Sequence, residues 1–436
     1  MHYTRDQVLK LAPDDASAKA GQQLATNAKW VTKNINSRAL WGDCQGSGKT
    51  PYKTIIDLEN IAFKCSCPSR KFPCKHGLGL MLFYTQDPSA FNTTAELPAH
   101  VAEWLDKRAE KEISKVQKED KPVDELAKQK RSAAREKKVE AGIAELRAWI
   151  KDVVRGGIMN VPQQIYQFNQ HITARMVDAQ AGGLATQLRQ INKINFYQDG
   201  WQRLLIKRLS LIYLLTEAYN NVEKLPIAMV KELQTLIGWT TAKEDVLLGS
   251  EVNDIWIILS ITTNEEANIT TERIWLYGKE SKSFALVLSF YAGNQLPQHL
   301  LFSGIQIDAA IVYFPGLLPL RALIKTQQAL PQQAMDLKAS IAISDVYELI
   351  TQQLSQNPFL AQIPFILNEV NIIFKDSKWF LSDQQQEGFE IANPDAEAWD
   401  MLAFTKGKSC ACFGIYEDEQ FHLHTLWIKD QIFFVK

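Results

Sequence analysis

The sequence predicts a multidomain α+β fold in four parts. These are a small β-hairpin/helix domain over residues 1–97, a charged helical arm over 98–139, a helical domain over 140–245, and a C-terminal α+β domain rich in antiparallel strands over 246–436. Three observations carry this reading. The chain has 436 residues, more than one ordinary core holds and enough for two or three domains. Charged residues of both signs crowd Glu103 to Glu140 and separate two apolar regions. Beyond Asn253 the apolar spacing changes from the helical period to the alternation of strands.

At the N-terminus, Thr4 followed by Gln7 forms a capping box for a first helix, which Pro13 ends. A second short helix is expected from Asp15 to Gln23. Lys29-Trp30-Val31 and Arg38-Ala39-Leu40-Trp41 then begin a β-rich unit. Gly46-Ser47-Gly48-Lys49-Thr50 invites a phosphate-loop reading, but the first glycine that motif needs is replaced by Asp43. The residues that follow, Tyr52 to Leu58, alternate like a strand and not like a helix. A hairpin turn is the better account, with Gly46 and Gly48 free to take positive φ.

The next stretch holds the chemistry. Cys65, Cys67, Cys74 and His76 place four soft metal ligands in two pairs, each with a one-residue spacer. In extended backbone, residues two apart face the same way, so each pair can reach one ion. Pro68 and Pro73 stop regular structure in the six-residue loop that folds one pair back on the other. Three thiolates and an imidazole complete a tetrahedral shell with no open position, the arrangement of one structural Zn2+. A disulfide within Cys-x-Cys is strained, and nothing in the sequence points to an oxidising compartment. Gly77 to Tyr84 then reads as a buried helix closing a ββα-like unit, with His76 at its start.

On these residues the chain resembles the SWIM zinc fingers, whose pattern is C-x-C-x(n)-C-x-H; here n is six. It is similar to bacterial SWIM zinc finger family proteins of about this length. In these, Trp41-Gly42-Asp43-Cys44-Gln45-Gly46-Ser47-Gly48, Pro51-Tyr52 and the Cys65–His76 segment recur together. The resemblance covers residues 1 to 85 or so. It implies zinc binding and a role in contacting nucleic acid or protein, and it implies no settled activity.

In the arm, Lys128, Lys130, Arg131, Arg135, Lys137 and Lys138 are opposed by Glu136, and Arg131, Arg135 and Lys138 share a helix face. They can grip phosphates, or simply form a solvated face. From 140 onward Ile143, Leu146, Trp149, Ile150 and Val153 form one buried helical stripe. Strands are expected at Ile255–Ile261, Thr271–Tyr277, Phe284–Phe290, Ile307–Phe314 and Arg321–Thr326, then a helix from Ser344, its cap, to Gln353. Further strands follow at Ile366–Phe374 and Trp379–Ser382. Asp254, Asp308 and Arg321 are charged residues in these strands. Cys410, Cys412, His422 and His424 form two same-face pairs on adjacent strands, and if Cys412 lies opposite His424 a second metal site is geometrically allowed.

With 46% hydrophobic and 22% charged residues and a net charge of −1, the composition is that of a soluble globular protein without wholesale attraction to polyanions. No membrane span or leader is recognised, and a cytoplasmic location is expected. No nucleophile motif, paired carboxylates or dinucleotide fingerprint appears, so no catalytic residue and no organic cofactor is assigned. The expectation is a zinc-binding interaction protein. Tyr52, Lys53, Arg70, Lys71 and Phe72 are the candidate contacts for a nucleic-acid or protein partner. The alternative is an enzyme with its active site in residues 250–436.

Overall fold

The computed structural model describes residues 4–46, 48, 50–58, 62–94, 96–117, 125–266, 269–292, 301–330, 343–385, 387–429 and 431–435. The Thr4 hydroxyl accepts from the Gln7 N–H, and the Gln7 side chain accepts from the Thr4 N–H, so the capping box opens α1 (Arg5–Lys10). The Asp14 carboxylate caps α2 (Asp15–Leu24). Strands β1 (Trp30–Ile35), β2 (Ala39–Cys44), β3 (Tyr52–Asp57) and β4 (Ala62–Cys65) then form a sheet, joined after α3 (Lys75–Gln86) by β5 (Asn92–Thr93). The order is β4-β3-β2-β1-β5, antiparallel except where β5 runs beside β1.

β2 and β3 form the expected hairpin, and a strand follows the glycine-rich segment. Lys49 and Ser47 lie outside the described residues. Neither Gly46 nor Gly48 takes the positive φ expected of it; a Cβ on Gly46 would lie 2.6 Å from the Tyr52 ring, so that glycine serves close approach.

The arm divides into α4 (Ala99–Gln117) and α5 (Glu125–Gly156). Its first turns are not a solvated spacer. Val101 and Leu105 are fully buried, flanked by half-buried Trp104 and Leu97, against Ala39, Trp41 and Ile55 on the sheet face opposite α3. Arg108 and Arg38 reinforce this with ion pairs to Asp57 at 3.3 Å and Asp106 at 3.4 Å. The spacing 97, 101, 104, 105 is a helical apolar stripe hidden among charges.

α5 continues into a helical bundle with α6 (Ile165–Phe168), α7 (Gln170–Asp178), α8 (Gly182–Ile191), α9 (Trp201–Asn220) and α10 (Ile227–Ile237). Ile143, Leu146 and Ile150 form the predicted stripe, packed with Met176, Leu188, Leu209 and Leu233. Trp149 and Val153 lie at its margin. Arg135 is not a free phosphate grip. Its Nη2 donates to Gln180 O and Gly238 O, both at 2.9 Å, at the ends of α7 and α10, while its guanidinium lies 4.8 Å from the Trp239 ring centre. Lys130, Lys137 and Lys138 are exposed; the side chains of Lys128 and Arg131 lie outside the described residues.

After α11 (Lys243–Leu247), the strands β6 (Glu251–Glu266), β7 (Ile269–Gly278), β8 (Phe284–Ala292), β9 (Gln306–Tyr313) and β10 (Arg321–Ala329) close into a barrel in the order β10-β8-β7-β6-β9. Five strands cannot close with antiparallel neighbours throughout, and the β8–β10 pair is the parallel one. A six-stranded antiparallel sheet follows, built from β11 (Ile363–Lys375), β12 (Lys378–Ser382), β13 (Gly388–Glu390), β14 (Cys410–Glu417), β15 (Gln420–Ile428) and β16 (Gln431–Phe434).

One face of this sheet carries α12 (Ile343–Gln356) and α13 (Asp395–Thr405), and Ile366, Phe413, Ile415 and Trp427 on the other pack on Ile257, Leu259 and Trp275 of the barrel. Ser344 lies inside the first turn of α12 and not at its cap. The two-residue turn Asp418-Glu419 meets α9, where Arg208 reaches Asp418 at 3.1 Å and Arg203 pairs with Glu419. No helix among the described residues is long and apolar enough to cross a membrane.

Candidate metal centre

β4 delivers Cys65 at its last residue, and Cys67 follows in the loop. Ser66 ties that loop to β3: its N–H donates to Lys53 O at 3.0 Å and its Oγ accepts from Lys53 N–H at 2.9 Å. Cys74 occupies the N-cap of α3, which places His76 in the first helical turn. The four ligand atoms lie within 4.8 Å of one another. His76 presents Nδ1, 3.7 Å from Cys65 Sγ and 4.0 Å from Cys74 Sγ. A tetrahedral Zn2+ with Zn–S of about 2.3 Å and Zn–N of about 2.0 Å sets sulfur and nitrogen about 3.5 Å apart, so the cluster is spaced for that ion.

Cys74 and His76 are buried, and Cys65 and Cys67 half-buried. The thiols crowd one another. Hydrogen bonding from Cys65 pulls Cys74 down to about 3, whereas the same contact and burial push Cys65 up, and burial raises Cys67. One thiolate is therefore favoured in a cluster that offers three sulfur donors. A divalent cation replaces the remaining protons and satisfies all three sulfurs together.

The surroundings orient the ligands. Thr54 Oγ1 lies 3.4 Å from Cys65 Sγ, and the Tyr52 ring packs on His76 with centroids 4.8 Å apart. Phe63 and Phe72, each two residues before a cysteine ligand, meet edge to face at 6.2 Å. A Cβ on Gly77 would lie 2.7 Å from Phe63, so the residue after His76 must be small for the helix to seat.

Residues 63–84 match the model of the SWIM zinc finger. The chain carries a SWIM zinc finger. Residues 134–237 match the SWIM-associated four-helix bundle domain, a span that here holds most of α5 and all of α6 to α10. No curated protein and no solved structure matches the chain. The finger binds one structural Zn2+ through its Cys3His cluster.

The five candidate contact residues do not form one free surface. Tyr52 supports His76, and Phe72 packs against the core of the finger domain. Lys71 is paired with Asp14 at 2.7 Å; that contact and the Ser17 N–H hold the Asp14 carboxyl down to about 2. Lys53 and Arg70 are exposed.

The second ligand quartet does not converge. The register sets Cys412 opposite Leu426 and His422 opposite Ile415, with an irregularity at His424 that the alternation of residue types did not reveal. Cys410 and Cys412 are buried in the core under α12 and α13, while the His424 ring lies 6.0 Å from Phe413 on the barrel side. Among the described residues the finger cluster is the one group of three or more such ligands close enough to share an ion.

Asp254, Asp308 and Arg321 form no site either. Asp254 accepts from the N–H groups of Ile255, Glu280 and Ser281, and Arg321 stacks on Phe314 at 4.3 Å. Asp308 faces solvent.

Proposed function

We propose that the chain is a zinc-stabilised interaction protein whose finger domain holds a nucleic acid by its phosphates. One observation carries this reading. Of the cations around the closed metal centre, Lys71 is neutralised by Asp14, whereas Lys53 and Lys64 are exposed on neighbouring strands without an ion pair among the described residues. Arg70 and Lys75 add exposed positive charge on the loop and at the start of α3. Tyr52 and Phe72 are committed to packing, so the surface offers charge without base-stacking platforms and suits backbone contact over sequence readout. The metal shell has no open position, and zinc serves the fold of this surface.

The test is binding of a labelled oligonucleotide by the full chain across a salt series. Affinity should fall steeply with salt, and K53Q/K64Q should flatten the slope by about 2, one for each lost phosphate contact. A salt-independent affinity unaffected by the double substitution overturns the reading. A protein partner is the second reading, favoured by Phe374 on β11 and Trp399 on α13, which stand 49% and 53% exposed beside Trp379 of β12. It predicts a complex that resists nuclease and depends on Trp399.

A further inference from the structure

The core of the finger domain is completed by a residue more than two hundred positions away. Phe302, 8% exposed, is buried in it with Phe63, Leu78, Leu80 and Met81. The segment that delivers Phe302 is fastened to the barrel. Leu301 enters the barrel core, and Ile305 packs against both cores. Gly304 N–H donates to Ile258 O at 2.7 Å and Ile258 N–H to Ile305 O at 2.9 Å. Gly304 has φ +86°, and a Cβ there would meet the Phe434 ring at 2.8 Å, so the turn that aims Phe302 needs glycine.

On the finger side, Phe63, Phe72 and Leu78 each lie two residues from a metal ligand and pack in the core that holds Phe302. The metal ligands and the barrel are thus joined by contiguous packed side chains. We propose that zinc binding and the docking of the finger domain on the barrel are one linked equilibrium, with Phe302 the residue that links them. Without metal the ligand loop loses its template, Phe63, Phe72 and Leu78 lose their fixed positions, and the socket for Phe302 opens. Linkage is reciprocal, so loss of the Phe302 contact weakens zinc binding by the factor with which zinc strengthens docking. The chain then displays the 301–305 segment in a metal-dependent way.

The experiment uses the full chain. Zinc affinity is measured by competition with a chromophoric chelator for wild type, F302A, F302L and F290A, the last being a phenylalanine on β8 that is 60% exposed. F302A should bind zinc about tenfold more weakly, within the usual range of coupling between sites, with F302L recovering most of the loss and F290A unchanged. Hydrogen exchange of wild type with and without chelator is the second arm, which stands even if F302A does not fold. Removing zinc should release residues 301–307 together with 63–84. Wild-type zinc affinity in F302A, or 301–307 still protected when 63–84 has opened, overturns the linkage. Metal content of the untreated wild type, one zinc per chain, separates a failure of the linkage from a failure of the metal site.

Discussion

Glu272 is the buried acid whose replacement should change stability most clearly. On β7 it shares a face with Ile274 and Leu276, which line the barrel core, and it pairs across the strands with Ser289. It is 6% exposed, and its Oε2 has no hydrogen-bond partner among the described residues. Burial alone raises its pKa from 4.5 to about 7. The folded barrel therefore favours the neutral acid. Stability from this group is fully present below pH 4.5 and is lost as pH rises through about 7, because the unfolded chain then binds fewer protons than the folded one.

At about 1.4 kcal/mol per pH unit, the interval between those two values corresponds to about 3 kcal/mol lost by pH 8. Glu272→Gln keeps the shape and removes the charge, so it should match wild type at pH 4.5 and exceed it by about 3 kcal/mol at pH 8. The assay is hydrogen exchange of β7 and β8 peptides, corrected for intrinsic rates, which reads the barrel without requiring the whole chain to unfold in one step. If the substituted barrel retains the wild-type decline between pH 5 and 8, Glu272 is not its source and the reasoning fails.

Cys74→Ser or His76→Ala should abolish stoichiometric zinc and open the finger domain to protease between residues 63 and 86. The apparent energy of a structural zinc site, about 10–16 kcal/mol, exceeds what this small core can replace. Full zinc content with unchanged protease resistance in either variant counts against the assignment. Arg135→Lys retains the charge but cannot span Gln180 O, Gly238 O and the Trp239 ring together, so the bundle should lose about 2 kcal/mol. Thermal unfolding followed on the bundle should show this loss, and a midpoint equal to wild type would mean that the guanidinium is dispensable there.

The metal ligands were legible because their chemistry is local. Four ligands within twelve positions can be weighed by spacing alone, and the prolines between them limit what else the segment can become. The hairpin, the helix after His76, the bundle stripe and the later strands were legible for the same reason, since periodicity reports which face of an element is buried. Periodicity does not report against what. The stripe of Leu97, Val101, Trp104 and Leu105 was masked by its charged neighbours, and only the sheet face it covers gives it meaning.

Arg135 looked like a member of a basic run until two helix ends and an indole met it. The pairing of Cys412 with His424 failed because the two-residue turn Asp418-Glu419 sets Ile415 opposite His422 and Gly414 opposite Leu423, a register in which Cys412 passes His424. The irregularity between Phe413 and Gly414 moves Cys412 one residue further, to Leu426. The sequence by itself therefore determined the zinc ligands, the type of most elements and their buried faces. Barrel closure, the capping by Arg135 and the passage of Phe302 into the finger core were decided only by the tertiary structure. Each depends on surfaces brought together from distant parts of the chain, where nonlocal packing and not neighbouring residues sets the energy.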